Sequence, residues 1–386
     1  MESSLSYLLD IGIVLLAANL GGIVSKKFNQ PAVLGQIVAG VILGLGIVEK
    51  TEIIEVMGEL GVIFLMFIAG LETDVDELKA SGGSSATIAI GGVVFPLLFV
   101  VSGIYLFTKD IQLSVFMGIV STATSVSISV QTLREMGKLN SRQGIGILGA
   151  AIIDDIVGII LLTLVVGIFK PGEGSNLIFV LLKIVSFFIL TFAVGYVIIK
   201  LVKRFVGSGN LDDKIVSYAI IGCFLLAFSS EELGVAAITG AYFSGVVFSM
   251  TSFRHKIAHD ISSISGLLFT PVFFVGIGMG VELGSAFLAI GIGSVFLVLA
   301  VLGKIVGSGL GAKLTGFNNK ASLQIGIGMV PRAEVAIIIA NLGLKLNLIG
   351  EKELAAVILT VLITTLVTPS MLKAAFKGKK AAARSS

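Results

Sequence analysis

Apolar stretches of about 20 residues, long enough to cross a hydrocarbon core of about 30 Å, recur from one end of this chain to the other. In lipid every backbone N–H and C=O needs an internal partner, so a chain of such stretches folds as a bundle of helices. Breaking it at charged and Gly/Pro-rich punctuation leaves thirteen apolar segments: 5–25, 32–48, 53–70, 85–107, 112–131, 144–169, 176–199, 215–230, 235–250, 263–281, 285–312, 320–342 and 353–372. Only 13% of the 386 residues are charged, about half the share of a soluble domain. The predicted class is therefore an all-α integral membrane protein with thirteen transmembrane helices and no sizeable aqueous domain. Leu5 to Val24 follows Glu2 and no basic residue, unlike a cleaved signal peptide, and reads as the first span.

Laid alternately on two sides, the loops share the 27 Lys and Arg residues unequally. One side holds only Lys50, Lys109, Lys170, Lys183, Lys345 and Lys352, while most of the rest, such as Lys26, Arg134, Lys203, Lys313 and Lys377, fall on the other. The positive-inside rule makes the rich side cytoplasmic, with the N-terminus outside and the C-terminus inside. These basic residues are dealt out among loops and form no face for nucleic acid. Cys223 stands alone in an apolar run and reads as a small core residue, since one thiol makes neither an internal disulfide nor a cysteine metal site. His255 and His259 are expected as solvated side chains in a cytoplasmic loop.

Weak internal similarity appears at an offset of 205 residues: Ala32, Gly35, Gly40 and Val41 meet Ala237, Gly240, Gly245 and Val246. The second to sixth segments then map onto the ninth to thirteenth, a shift of seven crossings, so the two five-helix copies have opposite orientation. Inverted repeats of this kind build transporters around a midplane site. At equivalent places in the copies two segments are poor helices. Ser121-Thr-Ala-Thr124-Ser125-Val-Ser127 is rich in hydroxyls that compete for backbone hydrogen bonds, and Gly326-Ile-Gly-Met-Val-Pro331-Arg332 combines glycines with a proline. Two crossed broken helices are expected there, leaving half-helix ends at membrane depth that need a charged partner.

Asp154 and Asp155 lie about ten residues into an apolar segment, where one charge costs roughly 2.5 to 3.5 kcal/mol. Lys304 is similarly deep, beside Gly303, Gly307 and Gly311, whose four-residue spacing makes a face for close helix packing. Neighbouring helical residues point about 100° apart. Asp154 is therefore expected to pair with Lys304, and Asp155 to face Thr124 and Ser125, whose hard oxygens suit a partly dehydrated Na+. A purely structural buried ion pair would explain Asp154 and Lys304 but leaves Asp155 without a reason. Two adjacent carboxylates on one helix do not converge on a scissile bond, so an intramembrane aspartyl protease, and an enzyme generally, is not expected. Arg332 and Glu334 flank the second break as supporting charges, neutralising each other or the half-helix ends, or contacting Glu72.

The residues Ala151-Ile-Ile-Asp154-Asp155, the break at 121–127, Met329-Val-Pro-Arg332-Ala-Glu334-Val, Gly70-Leu-Glu72 and Lys304 together resemble the monovalent cation:proton antiporter-2 family. The likeness covers the whole chain and is strongest to NapA-type bacterial Na+/H+ antiporters, including those of spore-forming bacteria linked to germination. It implies a homodimer of NhaA/NapA-like fold in a bacterial cytoplasmic membrane. Residues 1–84 and 210–283 would be mainly dimerisation scaffold, 85–175 and 284–373 mainly the moving core, and 374–386 a cytoplasmic tail. It implies Asp155 as the carrier of Na+ and H+, Asp154 as the partner of Lys304, no cofactor, and electrogenic exchange of about two protons per sodium. No nucleotide-binding domain precedes Ser386, so regulation by nucleotides or glutathione is not expected. Li+ or K+ in place of Na+ stays open, as do a K+ efflux system, an Na+-coupled symporter, which would need an organic solute, and a channel, which could not drive H+ uphill.

Overall fold

The computed structural model describes residues 6–169, 176–205, 209–280 and 290–377, and those residues form helices and connections without a strand. Among the described residues nine helices are long and apolar enough to cross a membrane, and Ala32–Leu43, Ile111–Val120, Ala237–Ser249 and Val335–Lys345 are shorter apolar helices. In chain order they are α1 (Ser6–Lys27), α2 (Ala32–Leu43), α3 (Glu52–Glu72), α4 (Val75–Thr108), α5 (Ile111–Val120), α6 (Val126–Glu135), α7 (Arg142–Phe169), α8 (Leu177–Phe205), α9 (Gly209–Glu232) and α10 (Ala237–Ser249). They continue with α11 (Arg254–Met279), which contains a π turn at Ser265–Phe269, α12 (Ile290–Leu314), α13 (Asn319–Gly328), α14 (Glu334–Lys345) and α15 (Glu351–Phe376).

Three helices, α4, α9 and α11, begin well before their apolar stretches suggest. α4 starts ten residues before position 85 because Asp74 caps it, accepting from the amides of Asp76 at 2.9 Å and Glu77 at 3.2 Å. Its polar stretch Gly82-Gly83-Ser84-Ser85 stays helical while Ser81 and Ser84 turn their hydroxyls back onto helix carbonyls. The division expected between 84 and 85 thus falls inside a helix. α11 likewise extends nine residues ahead of 263, so His255 and His259 ride on its first turns rather than in a loop. His259 remains exposed, 3.0 Å from Asp260. The expected division at 284 and the tail from 378 lie outside the described residues.

The turns α1–α2 and α9–α10 are built alike. Ser25 Oγ donates to the Pro31 carbonyl at 2.6 Å, and Ser230 Oγ to the Ala236 carbonyl at 2.9 Å. The amides of Gln30 and Val235 bond to the carbonyls of the same two serines, each at 2.9 Å. Asn29 and Gly234 both take a left-handed backbone, with φ of 59° and 76°.

Packing divides the helices into two groups. In one, α1 packs on α2, α2 on α11, and α3 on α10 and α11, with α9 on α10. In the other, α4 packs on α12, α7 and α5, and α12 on α13 and α15. The α4–α12 contact is glycine to glycine: a Cβ on Gly91 would overlap the Gly307 carbonyl oxygen, and one on Gly307 the Gly91 oxygen. The small-residue face beside Lys304 therefore lets two backbones touch, which brings the lysine's helix flush with its neighbours. Contacts between the groups are thinner and come mainly from α6 and α15 against α2 and α3. Between them opens a cavity of about 460 Å³, lined among others by Lys50, Glu55, Glu59, Phe273, Ala333 and Ile337. One buried apolar cluster runs across both groups, from Val33 and Phe67 through Val130 and Leu133 to Ile147 and Ile257, and reaches the cavity wall at Val62, Phe273 and Ala333.

Candidate functional site

Both hydroxyl- and proline-containing segments break where expected. Residues 121–125 separate α5 from α6, and 329–333 separate α13 from α14. The two extended pieces touch through their backbones, the Ser125 amide donating to the Pro331 carbonyl at 2.7 Å. Ser129 adds a bond from its hydroxyl to the Gly328 carbonyl at 2.6 Å. Each break thus supplies the other with partners for backbone groups that no helix satisfies, which is the condition for non-helical chain at membrane depth.

Arg332 sits at this crossing and is 1% exposed. Its guanidinium donates to the Val330 carbonyl at 2.8 Å, the Ser121 carbonyl at 2.7 Å and the Ala300 carbonyl at 3.1 Å. Those first two carbonyls lie at the C-terminal ends of α13 and α5, where the helix dipoles leave negative charge. Arg332 therefore takes the half-helix ends, one of the roles open to it. It does not meet Glu72, which lies at the far end of α3 and pairs with Arg134 at 3.2 Å. Arg254 donates to the Glu72 carbonyl at 2.8 Å. The Glu334 side chain lies outside the described residues.

Lys304 Nζ donates to Asp154 Oδ2 at 2.9 Å, with the two residues 0% and 3% exposed. Thr124 Oγ1 donates to the same carboxylate oxygen at 2.6 Å. Here the structure corrects the expectation, which had Thr124 facing Asp155. The break after α5 turns its hydroxyl toward the face of α7 that already carries the ion pair, so one threonine and one lysine share one acceptor. The Ser125 hydroxyl lies 3.1 Å from that of Ser127. Asp154 Oδ1 is buried with no hydrogen-bond partner among the described residues. Asp155 is half-buried on the adjoining face of α7 and within electrostatic reach of Lys304. Two carboxylates, a fixed ammonium and a hydroxyl, all hard ligands or charges, are thus gathered where two helices are interrupted.

Three features carried no signal that sequence reasoning used. Glu135, at the end of α6, accepts from the amides of Ala32 at 2.6 Å and Val33 at 3.2 Å, capping α2 from the other helix group. Proline at position 31 leaves α2 without a side-chain cap of its own. Arg134 also donates to Ser262 of α11 at 2.8 Å. On α15, Thr364 and Thr365 hold the backbone of Arg332.

Residues 13–378 match the family described as the transmembrane sodium/hydrogen exchanger. The chain belongs to the sodium/hydrogen exchanger family. Among similar exchangers, the Na+/H+-K+ antiporter GerN of Bacillus cereus is 40% identical over 384 residues, covering 98% of this chain and 99% of that protein. An Na+/H+ antiporter of Enterococcus hirae is 32% identical, covering 94% and 96%. The structure of the sodium proton antiporter MjNhaP1 from Methanocaldococcus jannaschii aligns with a TM-score of 0.73 over 97% of this chain and 96% of that one. At 18% identity that likeness is one of fold, and it places this exchanger among all-helical multi-span membrane proteins.

Proposed function

We propose that this chain exchanges Na+ for H+ across a bacterial cytoplasmic membrane by alternating access, with Asp155 as the group that carries each in turn. Family membership and the names of its relatives make it a monovalent cation/proton antiporter. The observation that carries the site assignment is the buried Lys304–Asp154 pair standing beside a second, half-buried carboxylate at the crossing of two broken helices. A structural ion pair needs one acid, and α7 supplies two.

The chemistry is competition. Na+ and H+ cannot both neutralise Asp155, so loading one releases the other. A loaded, neutral site crosses an apolar barrier readily, whereas an empty charged one meets a desolvation penalty. Asp154 offers Na+ its unpartnered Oδ1, and a cation bound there competes with Lys304 for the same carboxylate. Thr124 supplies a neutral oxygen on the same side. Ser125 is proposed as a further oxygen ligand beside Thr124, and Glu334 and Glu72, the latter through Arg134, as supporting charges.

Residues 1–84 and 210–283 would form the scaffold and dimer contact, and 85–175 and 284–373 the moving core, with the division better set at Asp74, where α4 begins. The packing of the two helix groups supports this reading. The cavity at Lys50 and Glu55 supports an arrangement open on the side expected to be outside, and the bonds of Arg134 and Glu135 across the two helix groups support a closed inside. An inverted-repeat, thirteen-span, NapA-type architecture is supported by the serine turns of α1–α2 and α9–α10, whose bonded residues all differ by 205. K+ is the second cation to consider, because the GerN relative is named for it.

Proteoliposomes carrying a pH dye and a voltage dye, with Na+, Li+ and K+ stepped in turn, test the proposal. Na+-driven, uphill proton movement is the expected result. Cation flux without proton coupling would refute it.

A further inference from the structure

α15 carries four buried threonines, Thr360, Thr364, Thr365 and Thr368. Three turn back on their own helix, bonding to the carbonyls of Ala356, Thr360 and Thr364 at 2.9, 2.7 and 2.6 Å. Of the four, Thr365 is the one that donates its hydroxyl to another element, to the Arg332 carbonyl at 2.7 Å. Thr364, whose proton is committed to Thr360, uses its oxygen to accept from the Arg332 amide at 3.3 Å. Both backbone polar groups of Arg332 are thus held by adjacent side chains of α15. Pro369, four residues after Thr365, has no amide to give the Thr365 carbonyl, so the helix is weakened where it reaches out.

Arg332 in turn fixes the first break. Its guanidinium bonds to Ser121, and the preceding carbonyl, of Pro331, accepts from Ser125. Between those two residues lies Thr124, bonded to Asp154. The whole series is buried, so water does not replace a lost partner.

We propose that Thr365, assisted by Thr364, is a positioning residue for the cation site, acting through Arg332 on the loop that carries Thr124. The inference rests on the proposed exchange at Asp155 and Asp154. It assigns Thr365 no contact with the ion.

The test compares Thr365→Val, which keeps the shape and removes the hydroxyl, with Thr365→Ser, which keeps the hydroxyl, and with Thr360→Val, whose bond stays within α15. In proteoliposomes T365V raises the apparent KM for Na+ about tenfold, the equivalent of about 1.4 kcal/mol, with the maximal rate within about twofold. T365S and T360V keep the wild-type KM. If T365V is not recovered folded, Thr365→Ala and Thr364→Val carry the same comparison. A wild-type KM in the variants that lose the hydroxyl, or a fall in maximal rate with KM unchanged, overturns the inference. Wild-type vesicles without Na+-driven proton movement would instead overturn the proposed function, so the two failures are distinguishable.

Discussion

Replacing Lys304 by methionine removes a buried charge while nearly keeping its volume, so the electrostatic consequence is isolated from a cavity. In the intact protein the ammonium and the Asp154 carboxylate are 2.9 Å apart, with side chains 0% and 1% exposed. After substitution Asp154 Oδ2 retains the Thr124 hydroxyl, and Oδ1 still has no partner among the described residues. Removing one member of a buried pair costs about 3–5 kcal/mol, mostly for the charge left behind. For 386 residues, an unfolding entropy of about 2.1 cal/mol/K per residue converts this to a fall of roughly 4–6 °C in melting temperature. The double variant Lys304→Met/Asp154→Asn leaves no orphaned charge and should recover most of the loss, because neutral replacements of buried pairs are often tolerated. Thermal unfolding of purified protein in one detergent, for wild type, both single variants and the double, gives the coupling energy directly. A K304M melting temperature within about 1 °C of wild type, or no recovery in the double variant, would refute the reasoning, since either result means that the ion pair is not desolvated. If the pair also takes part in transport, the voltage-dye signal per Na+ moved in K304M differs from wild type.

Asp155→Asn should abolish Na+-driven proton movement in proteoliposomes while the protein stays folded; full transport in that variant removes Asp155 as the carrier. Thr124→Val, which deletes a hydroxyl bonded at 2.6 Å to a buried carboxylate, should weaken apparent Na+ binding about tenfold, consistent with roughly 1.5–3 kcal/mol for a bond to a charged group. Thr124→Ser should restore it, and equal KM values in the two would sink the idea. Glu135→Ala should loosen the contact between the two helix groups by about 1 kcal/mol, the typical worth of a helix cap, because the carboxylate is exposed and caps α2 across the two helix groups. Faster hydrogen–deuterium exchange at the C-terminal end of α6 and the first turn of α2 is the signature, and unchanged exchange there would count against a gating role.

Much of this site could be read from residue types and spacing because burial in lipid is so costly. Asp154, Asp155 and Lys304 are conspicuous in apolar segments, and the hydroxyl-rich and glycine-proline stretches announce interrupted helices at the positions where the chain breaks. What stayed hidden depends on rotation and on partners distant in sequence. Whether Thr124 faces Asp154 or Asp155 turns on how a few non-helical residues twist between α5 and α6, and no periodicity governs that stretch. Hydropathy misplaces the starts of α4 and α11 because it marks where lipid begins, whereas Asp74 and backbone hydrogen bonds decide where a helix begins. Arg332 shows the difference in kind: its depth was legible, yet its three carbonyl partners belong to the ends of α5 and α13 and to α12. A single guanidinium that ties those three elements together makes the crossing a rigid unit. In the proposed alternating access such a unit moves as one body, and the bonds that would have to yield are those from the end of α6 to α2, α3 and α11.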